Sequence, residues 1–394
     1  MKNEVMISER RYDIDWLRIM LIFSVFLFHI GMYFNGFGWH IKNPERLTWL
    51  DPFMGYLHVW RMPLLFLVSG VGTYFALGKR TIAQFFGERS RRLLIPLVFG
   101  MFVIVPPQVF VEKQAQYGTY LNFIPHITEG SYPQGNLSWH HLWFILYLFI
   151  CASAAVPFIL LLRSAAGNRF YRILEKYAAV KGFLLLLAIP LFLVRIVLLP
   201  YFPHETHALI DDWEYISSCF LFFLYGYILL SNKKLTGSIV QQRRIFAVIA
   251  ILLSLLYYYD WFHSIDPFMS ENLQLMLYCI LQISIALALI GYSGRYLNYD
   301  HPWRKTLNEA IYPFYILHQT IILVLAFLLR DYDMQVGWRV LSLTVLSFGT
   351  IAMVYIFLVR PFSLTRFLFG MHTRKKPVVV ALTATSGGGI HMAE

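Results

Sequence analysis

Ten stretches of mostly apolar residues divide this chain, each about 18 residues or longer, the length a helix needs to cross a hydrocarbon layer about 30 Å thick. They fall at 16–35, 57–77, 93–111, 142–162, 182–200, 214–231, 245–262, 273–293, 311–329 and 338–359. Lipid offers no water to backbone N–H and C=O groups, so each crossing segment must pair them internally, as a helix does. Composition agrees: 58% of the 394 residues are apolar and 14% charged, where a soluble domain averages about half and a quarter. Three scattered cysteines (Cys151, Cys219, Cys279), all in apolar blocks, form neither a disulfide framework nor a CxxC metal site. A soluble enzyme, a secreted disulfide scaffold and a zinc-finger protein are disfavoured. The expected fold is all-α: a polytopic membrane protein of about ten transmembrane helices with both termini cytoplasmic.

The basic residues test that count. Of 33 Lys and Arg, 24 fall in segments that lie inside if the N-terminus does, and 4 (Lys42, Arg46, Lys113, Arg330) in segments outside. Losing one span would put every later loop on the wrong side and scramble the alternation, so the positive-inside rule supports ten. Two spans carry awkward residues: the fifth holds Arg195, the second Arg61 and Pro63. The net charge of +11 is spread over alternate loops rather than gathered on one face, which argues against a nucleic-acid partner. The first block is too long for a signal-peptide core and lacks a small-residue cleavage site before Asn35. No internal repeat with matching breaks is evident, which weakly disfavours an inverted-repeat transporter. The chain divides into a cytoplasmic N-terminus (1–15), a transmembrane domain (16–360) and a cytoplasmic tail (361–394) expected to be disordered from about 377. The longest outside loop, 112–140, has the Gly, Pro and aromatic content of a folded cap.

Polar groups inside lipid are costly and therefore informative, at roughly 2.5–3.5 kcal/mol for a charge at mid-span. Arg18 and His29 are eleven residues apart in the first block, which places them about 20° apart on one helix face with about 16 Å between them along the axis. Either Arg18 snorkels and His29 is a hydrogen-bonded core histidine, or the two mark a polar stripe from an inner anion site to a deeper general base. The inside loop 78–92 offers Lys79, Arg80, Arg89, Arg91 and Arg92. These are either ordinary positive-inside loading or a cluster for phosphates, to which Arg304 and Lys305 could add. Nine of thirteen histidines, among them His58, His140 and His141, fall at or beyond the outer half. No HxH or HExxH pair stands out, so no metal is expected. A polar mouth for a hydrophilic substrate fits better, with Trp39, Trp60, Trp139, Trp143 and Trp213 to stack on it. His318 is a core histidine or a site residue. Arg61 and Arg195 either snorkel or pair with outer carboxylates.

Taken in order, these features resemble the acyltransferase 3 family of integral membrane acyltransferases. The resemblance is carried by Arg18 with His29 (the family's R-x10-H), RMPLLFLVSG at 61–70, Arg89 with Arg92 (its RxxR) followed by LIP, HLWFILYL at 141–148 and NEAIYPFYILHQT at 308–320. The last looks most like the branch that contains glucan biosynthesis protein C. The resemblance implies a multi-pass protein of the bacterial cytoplasmic membrane that acts as an O-acyltransferase. It implies an acyl-CoA donor, acetyl-CoA or succinyl-CoA, used as co-substrate from the cytoplasm. The acceptor is a hydroxyl of an extracytoplasmic or membrane-linked glycan. His29 is the expected catalytic base, assisted by Arg18. Arg89, Arg92, Arg91, Lys79 and Arg80 are expected to hold the donor, and Arg61, His58, His141, Trp143 and His318 to meet substrate. Asp15 is expected to pair with Arg18 or a loop arginine. Self-association as a homodimer is left open. The competing reading is a transporter or flippase for a glycan or lipid precursor. The transferase reading expects a continuous hydrophilic passage from the inner guanidiniums to His29.

Overall fold

The computed structural model of the chain describes residues 11–263 and 270–372. The tail expected to be disordered from about 377 lies outside them. The apolar blocks become helices α1 (Tyr12–Phe34), α2 (Asp51–Leu77), α3 (Ile82–Glu112), α4 (Trp143–Leu162), an amphipathic α5 (Ala165–Ala178), α6 (Phe183–Leu198), α7 (Trp213–Leu230), α8 (Lys233–His263), α9 (Glu271–Tyr296), α10 (Pro302–Leu329) and α11 (Val336–Val359). No strand is present among the described residues. Local sequence sets several starts. Ser164 and Ser270 accept from Gly167 N and Leu273 N, and Thr81 forms a capping box with Gln84, which satisfies first-turn N–H groups.

Nine of these helices are long and apolar enough to cross a membrane, and α6 is shorter. Nine long helices plus the shorter α6 among the described residues accord with the expectation of about ten, the fifth block being the short one. Gly182 N donates to Gln242 of α8, ten residues into that helix, and Arg195 near the other end of α6 binds Glu214 at the start of α7. α5 joins at the same point, its Ala178 carbonyl accepting from Gln242.

Prolines shape the rest. A proline within a helix removes one N–H and frees the carbonyl four residues back. Pro63 frees Val59 O, which accepts from Gln282 of α9. Pro96 frees Arg92 O, which accepts from Tyr312 of α10 at 3.0 Å. Each bond ties two helices together. α3 answers its prolines by widening into π turns at Ser90–Leu94 and Gly100–Ile104, just ahead of Pro96 and Pro106; such π turns cluster at functional sites.

Without a hydrophobic drive between lipid-facing helices, close backbone approach carries the packing. α2 and α7 meet at Gly70 and Gly226. A Cβ on Gly70 would lie 2.0 Å from Phe223 O, and one on Gly226 1.7 Å from Leu67 O. α1 packs against α2, α9, α10 and α11, so the helix carrying Arg18 and His29 is held on several sides. The loop after α3 does fold. Lys113 Nζ donates to Gly135 O at 2.6 Å, Asn136 Nδ2 to His126 O at 2.9 Å, and Phe123 is fully buried beneath.

Candidate active site

The continuous helix α1 places His29 five residues before its C-terminus and Arg18 three turns earlier. His29 Nδ1 lies 2.8 Å from Val25 O and 3.2 Å from His318 Nε2. A carbonyl oxygen only accepts, so Nδ1 must carry the proton. His318 Nδ1 likewise faces Tyr315 O, which leaves its Nε2 as an acceptor for His29. The pair therefore has one consistent proton arrangement: Nδ1–H of His29 is shared between Val25 O and His318, and His29 Nε2 keeps its lone pair. That is the state a general base needs.

Behind this pair runs a polar network that the sequence did not announce. Tyr132 donates to Glu112 at 3.0 Å, and His40 Nδ1 donates to Glu112 Oε2 at 2.5 Å. His40 Nε2 then accepts from Gln319, and Gln319 donates to Gln108 Oε1 at 3.0 Å. Gln108 Nε2 donates to Thr320 Oγ1 at 2.7 Å and faces His141 Nδ1 at 3.3 Å. His141 closes the chain by donating from Nε2 to Ile316 O at 3.0 Å. Buried networks of this kind hold side chains rigidly when every member is satisfied. The signal available beforehand was Gln108 after a Pro-Pro pair and Gln319 beside His318, each a polar residue in an apolar run.

His29 lines a cavity of about 1040 Å³ at the end where the loops 35–50, 113–139 and 199–212 gather. Its wall includes Trp39, His58, Arg61, Trp139, His140, His141, Trp143 and His207. Trp143 stacks on His207 with ring centroids 4.1 Å apart. His140 and His207 hold positive φ angles of 38° and 56°, a backbone form that non-glycine residues adopt at a cost and that gathers at functional sites. Outside the spans, burial pushes the His207 imidazole down to about 4 and the Asp212 carboxyl up to about 6. Asp212 accepts from Tyr147 Oη at 2.6 Å and His207 N at 3.1 Å. Among the described residues, no group of three or more His, Cys, Asp or Glu is placed to hold a metal ion.

At the opposite end Arg18, Arg89 and Arg92 come within electrostatic range of one another. Arg89 donates to Thr73 Oγ1 at 3.0 Å, and Arg92 to Gly370 O at 3.3 Å. Glu88 takes Arg80 at 2.5 Å and Arg92 at 3.5 Å. Arg304 does not join the cluster, because Asp15 and Asp300 hold it at 2.5 Å and 2.7 Å; Asp15 lies 4.0 Å from Arg18. Lys79 and Arg91 are exposed, and Arg91 lines an apolar groove with Leu94 and Val98.

The substrate-side expectations divide. His58, Arg61, His141 and Trp143 line the cavity, whereas Trp60 and Trp213 do not. His318 is absent from the wall and 1% exposed; it backs His29 instead. His141 is engaged at both nitrogens, so it braces the wall. Arg195 pairs with Glu214 at 3.0 Å, whereas Arg61 is 5% exposed, stacked on Phe28 and in no ion pair among the described residues. The cavity that His29 lines does not reach the inner guanidiniums. The wall positions nearest the basic end are Val25, Met62, Met101 and Tyr315, and none of Arg18, Arg89 or Arg92 lines the cavity. Ile22 and Val25 are buried on α1 between the two ends.

A family model described as an acyltransferase domain matches residues 11–359. Three relatives, each named glucans biosynthesis protein C, align over part of the chain. The proteins of Escherichia coli strain SMS-3-5 and Shigella dysenteriae serotype 1 are 26% identical over 152 residues, and that of Escherichia coli O6:K15:H31 is 28% identical over 153. In each case the alignment takes in 38% of this chain, and the chain spans 39% of the relative's length. No solved structure matches.

Proposed function

The chain belongs to the acyltransferase family whose model covers residues 11–359, and on that premise we propose that it is a membrane O-acyltransferase. In this reading it moves an acyl group, acetyl or succinyl, from acyl-CoA at the basic end to a hydroxyl in the cavity at the other end. The acceptor is a glycan, extracytoplasmic or lipid-linked; the relatives' name supports that choice, and the aromatic wall suits sugar rings. The compartment is the bacterial cytoplasmic membrane.

The observation that carries the proposal is His29. Its Nδ1–H is anchored on Val25 O and His318, its Nε2 holds a lone pair, and the residue faces a roomy polar and aromatic cavity. Nε2 takes the proton of the acceptor hydroxyl as the oxygen attacks the thioester carbonyl. The resulting imidazolium is stabilised at Nδ1 by two acceptors already in place. Arg18, Arg89 and Arg92 hold the donor's phosphates, where three guanidiniums that otherwise repel one another gain a counter-charge. The thioester must then travel the axial distance of about 16 Å to His29. That requires the Val25, Met62, Met101 and Tyr315 layer to part, next to the π turn at Gly100–Ile104.

The test is to incubate purified full chain with radiolabelled acetyl-CoA or succinyl-CoA and a glycan acceptor, wild type beside His29→Ala, and identify the product by mass spectrometry. Label should reach the acceptor with wild type and not with His29→Ala, at equal protein abundance. Transfer by His29→Ala near the wild-type rate would remove His29 from the chemistry. Solute movement across proteoliposomes without acyl transfer would favour a transporter.

A further inference from the structure

Arg61 lies ten residues into α2 and is 5% exposed. Its guanidinium carbon sits 3.2 Å above the centroid of the Phe28 ring. Its Nε and Nη1 are buried without a hydrogen-bond partner among the described residues. Other buried arginines here have partners: Arg195 binds Glu214, Arg304 binds Asp15 and Asp300, and Arg366 binds Glu309, while Arg339 donates to Asn43 and the Tyr332 carbonyl and leaves only its Nε unmet. A guanidinium cannot shed its proton and carries five N–H donors in a fixed plane. Burying that charge with donors unmet is costly, and stacking on an aromatic face offsets only part of the cost. The carboxylate that acts on Arg61 electrostatically is Glu205, and that group already accepts from His58 at 2.8 Å.

Arg61 also lines the cavity that His29 lines, and its charge acts on His29. Phe28, the platform under the guanidinium, is the residue next to His29. One dipeptide on α1 therefore sets both the base and the plane of the arginine.

We propose that Arg61 is the oxyanion-binding residue of the transfer reaction, a role that rests on the acyltransferase reading above. His29 Nε2 accepts the acceptor's hydroxyl proton while that oxygen bonds to the thioester carbonyl carbon. The carbonyl π electrons move to its oxygen, and the anion formed there is received by the guanidinium of Arg61, which lines the cavity. When the intermediate collapses, the electrons return to re-form C=O, the C–S bond breaks, and the leaving thiolate recovers the proton from His29. The product ester and free thiol balance the reactants. The donors are fixed in place before charge develops, which is what makes such a group effective. The same chemistry, one anionic oxygen on a guanidinium, could instead come from a carboxylate carried by the acyl group, and the experiment separates the two sources.

Purified full-length Arg61→Met and Arg61→Lys are compared with wild type, using acetyl-CoA, which has no free carboxylate on its acyl group, and succinyl-CoA, which has one. The expected result is a fall in kcat on the order of 100- to 1000-fold for both donors in Arg61→Met, with KM within a few-fold, and partial recovery in Arg61→Lys. Unchanged kcat in Arg61→Met overturns the proposal. So does a loss confined to succinyl-CoA, which would make Arg61 a reader of the acyl carboxylate. If both Arg61 variants fail to fold, Phe28→Leu decides. It removes the platform but keeps the guanidinium, so kcat should fall about 10-fold for both donors, as expected for loosening one preorganised donor pair, and an unchanged kcat overturns the proposal. Wild type that transfers from neither donor refutes the acyltransferase reading itself, a result distinct from an active wild type with an equally active Arg61→Met.

Discussion

Replacing His318 with leucine should isolate what the second histidine contributes to the first. His318 is 1% exposed and does not line the cavity, yet its Nε2 lies 3.2 Å from His29 Nδ1. During the proposed reaction His29 becomes an imidazolium, and that bond becomes charge-assisted. Hydrogen bonds to charged groups are worth about 1.5–3 kcal/mol, and every 1.36 kcal/mol is tenfold in rate. The expected loss in kcat is therefore about 10- to 150-fold. The loss stays bounded because Val25 O, at 2.8 Å, still holds the Nδ1 proton. KM for the donor should change little, since His318 is remote from the arginine cluster, and His318→Gln, whose carbonyl oxygen can accept, should regain part of the rate. Steady-state acyl-transfer kinetics on purified protein, with thermal unfolding as the check on folding, measure all three. A His318→Leu enzyme with wild-type kcat would refute the positioning role. So would one as dead as His29→Ala, because that would place His318 in the chemistry itself.

Other consequences follow from the packing and the loops. Gly226→Ala forces a Cβ to within 1.7 Å of Leu67 O; backbone lies on both sides and neither yields, so detergent-solubilised protein should unfold several degrees below wild type. Glu214→Leu leaves Arg195, 8% exposed, without its carboxylate, at a cost of about 3–5 kcal/mol. Adding Arg195→Met should recover most of that in the same unfolding assay, and a double variant no better than the single would rule out the pair as the cause. Asp212 is raised from its ordinary 3.8 to about 6 by burial. The folded protein thus holds that proton more tightly than the unfolded chain does. The stability it contributes is complete below about 4 and is lost as pH rises through about 6. Asp212→Asn should flatten the pH dependence of the unfolding midpoint across that window, and an unchanged slope would assign the dependence to another group.

The sequence was readable wherever lipid made the rules strict. Helix positions followed from apolar length, and Arg18 with His29 on one face followed from a spacing of eleven. It said less where a helix draws partners from its neighbours. The fifth block folds as the shorter helix α6, tied at its start to Gln242 of α8. Arg304, which could have added to the phosphate cluster, is held by Asp15 and Asp300 instead. Gln108 and Glu112 of α3, Gln319 of α10 and His40 of a loop come from two helices and a loop far apart in sequence, so no local pattern could have joined them.

Local chemistry alone thus settled that this chain is helical, enters lipid and carries its basic residues in alternate loops, because hydropathy and charge are properties of the residues themselves. It could not say which nitrogen of His29 keeps a lone pair, nor that Arg61 is buried with donors unmet. Those depend on which atoms from distant helices lie within 3.5 Å, and only the packed structure decides that.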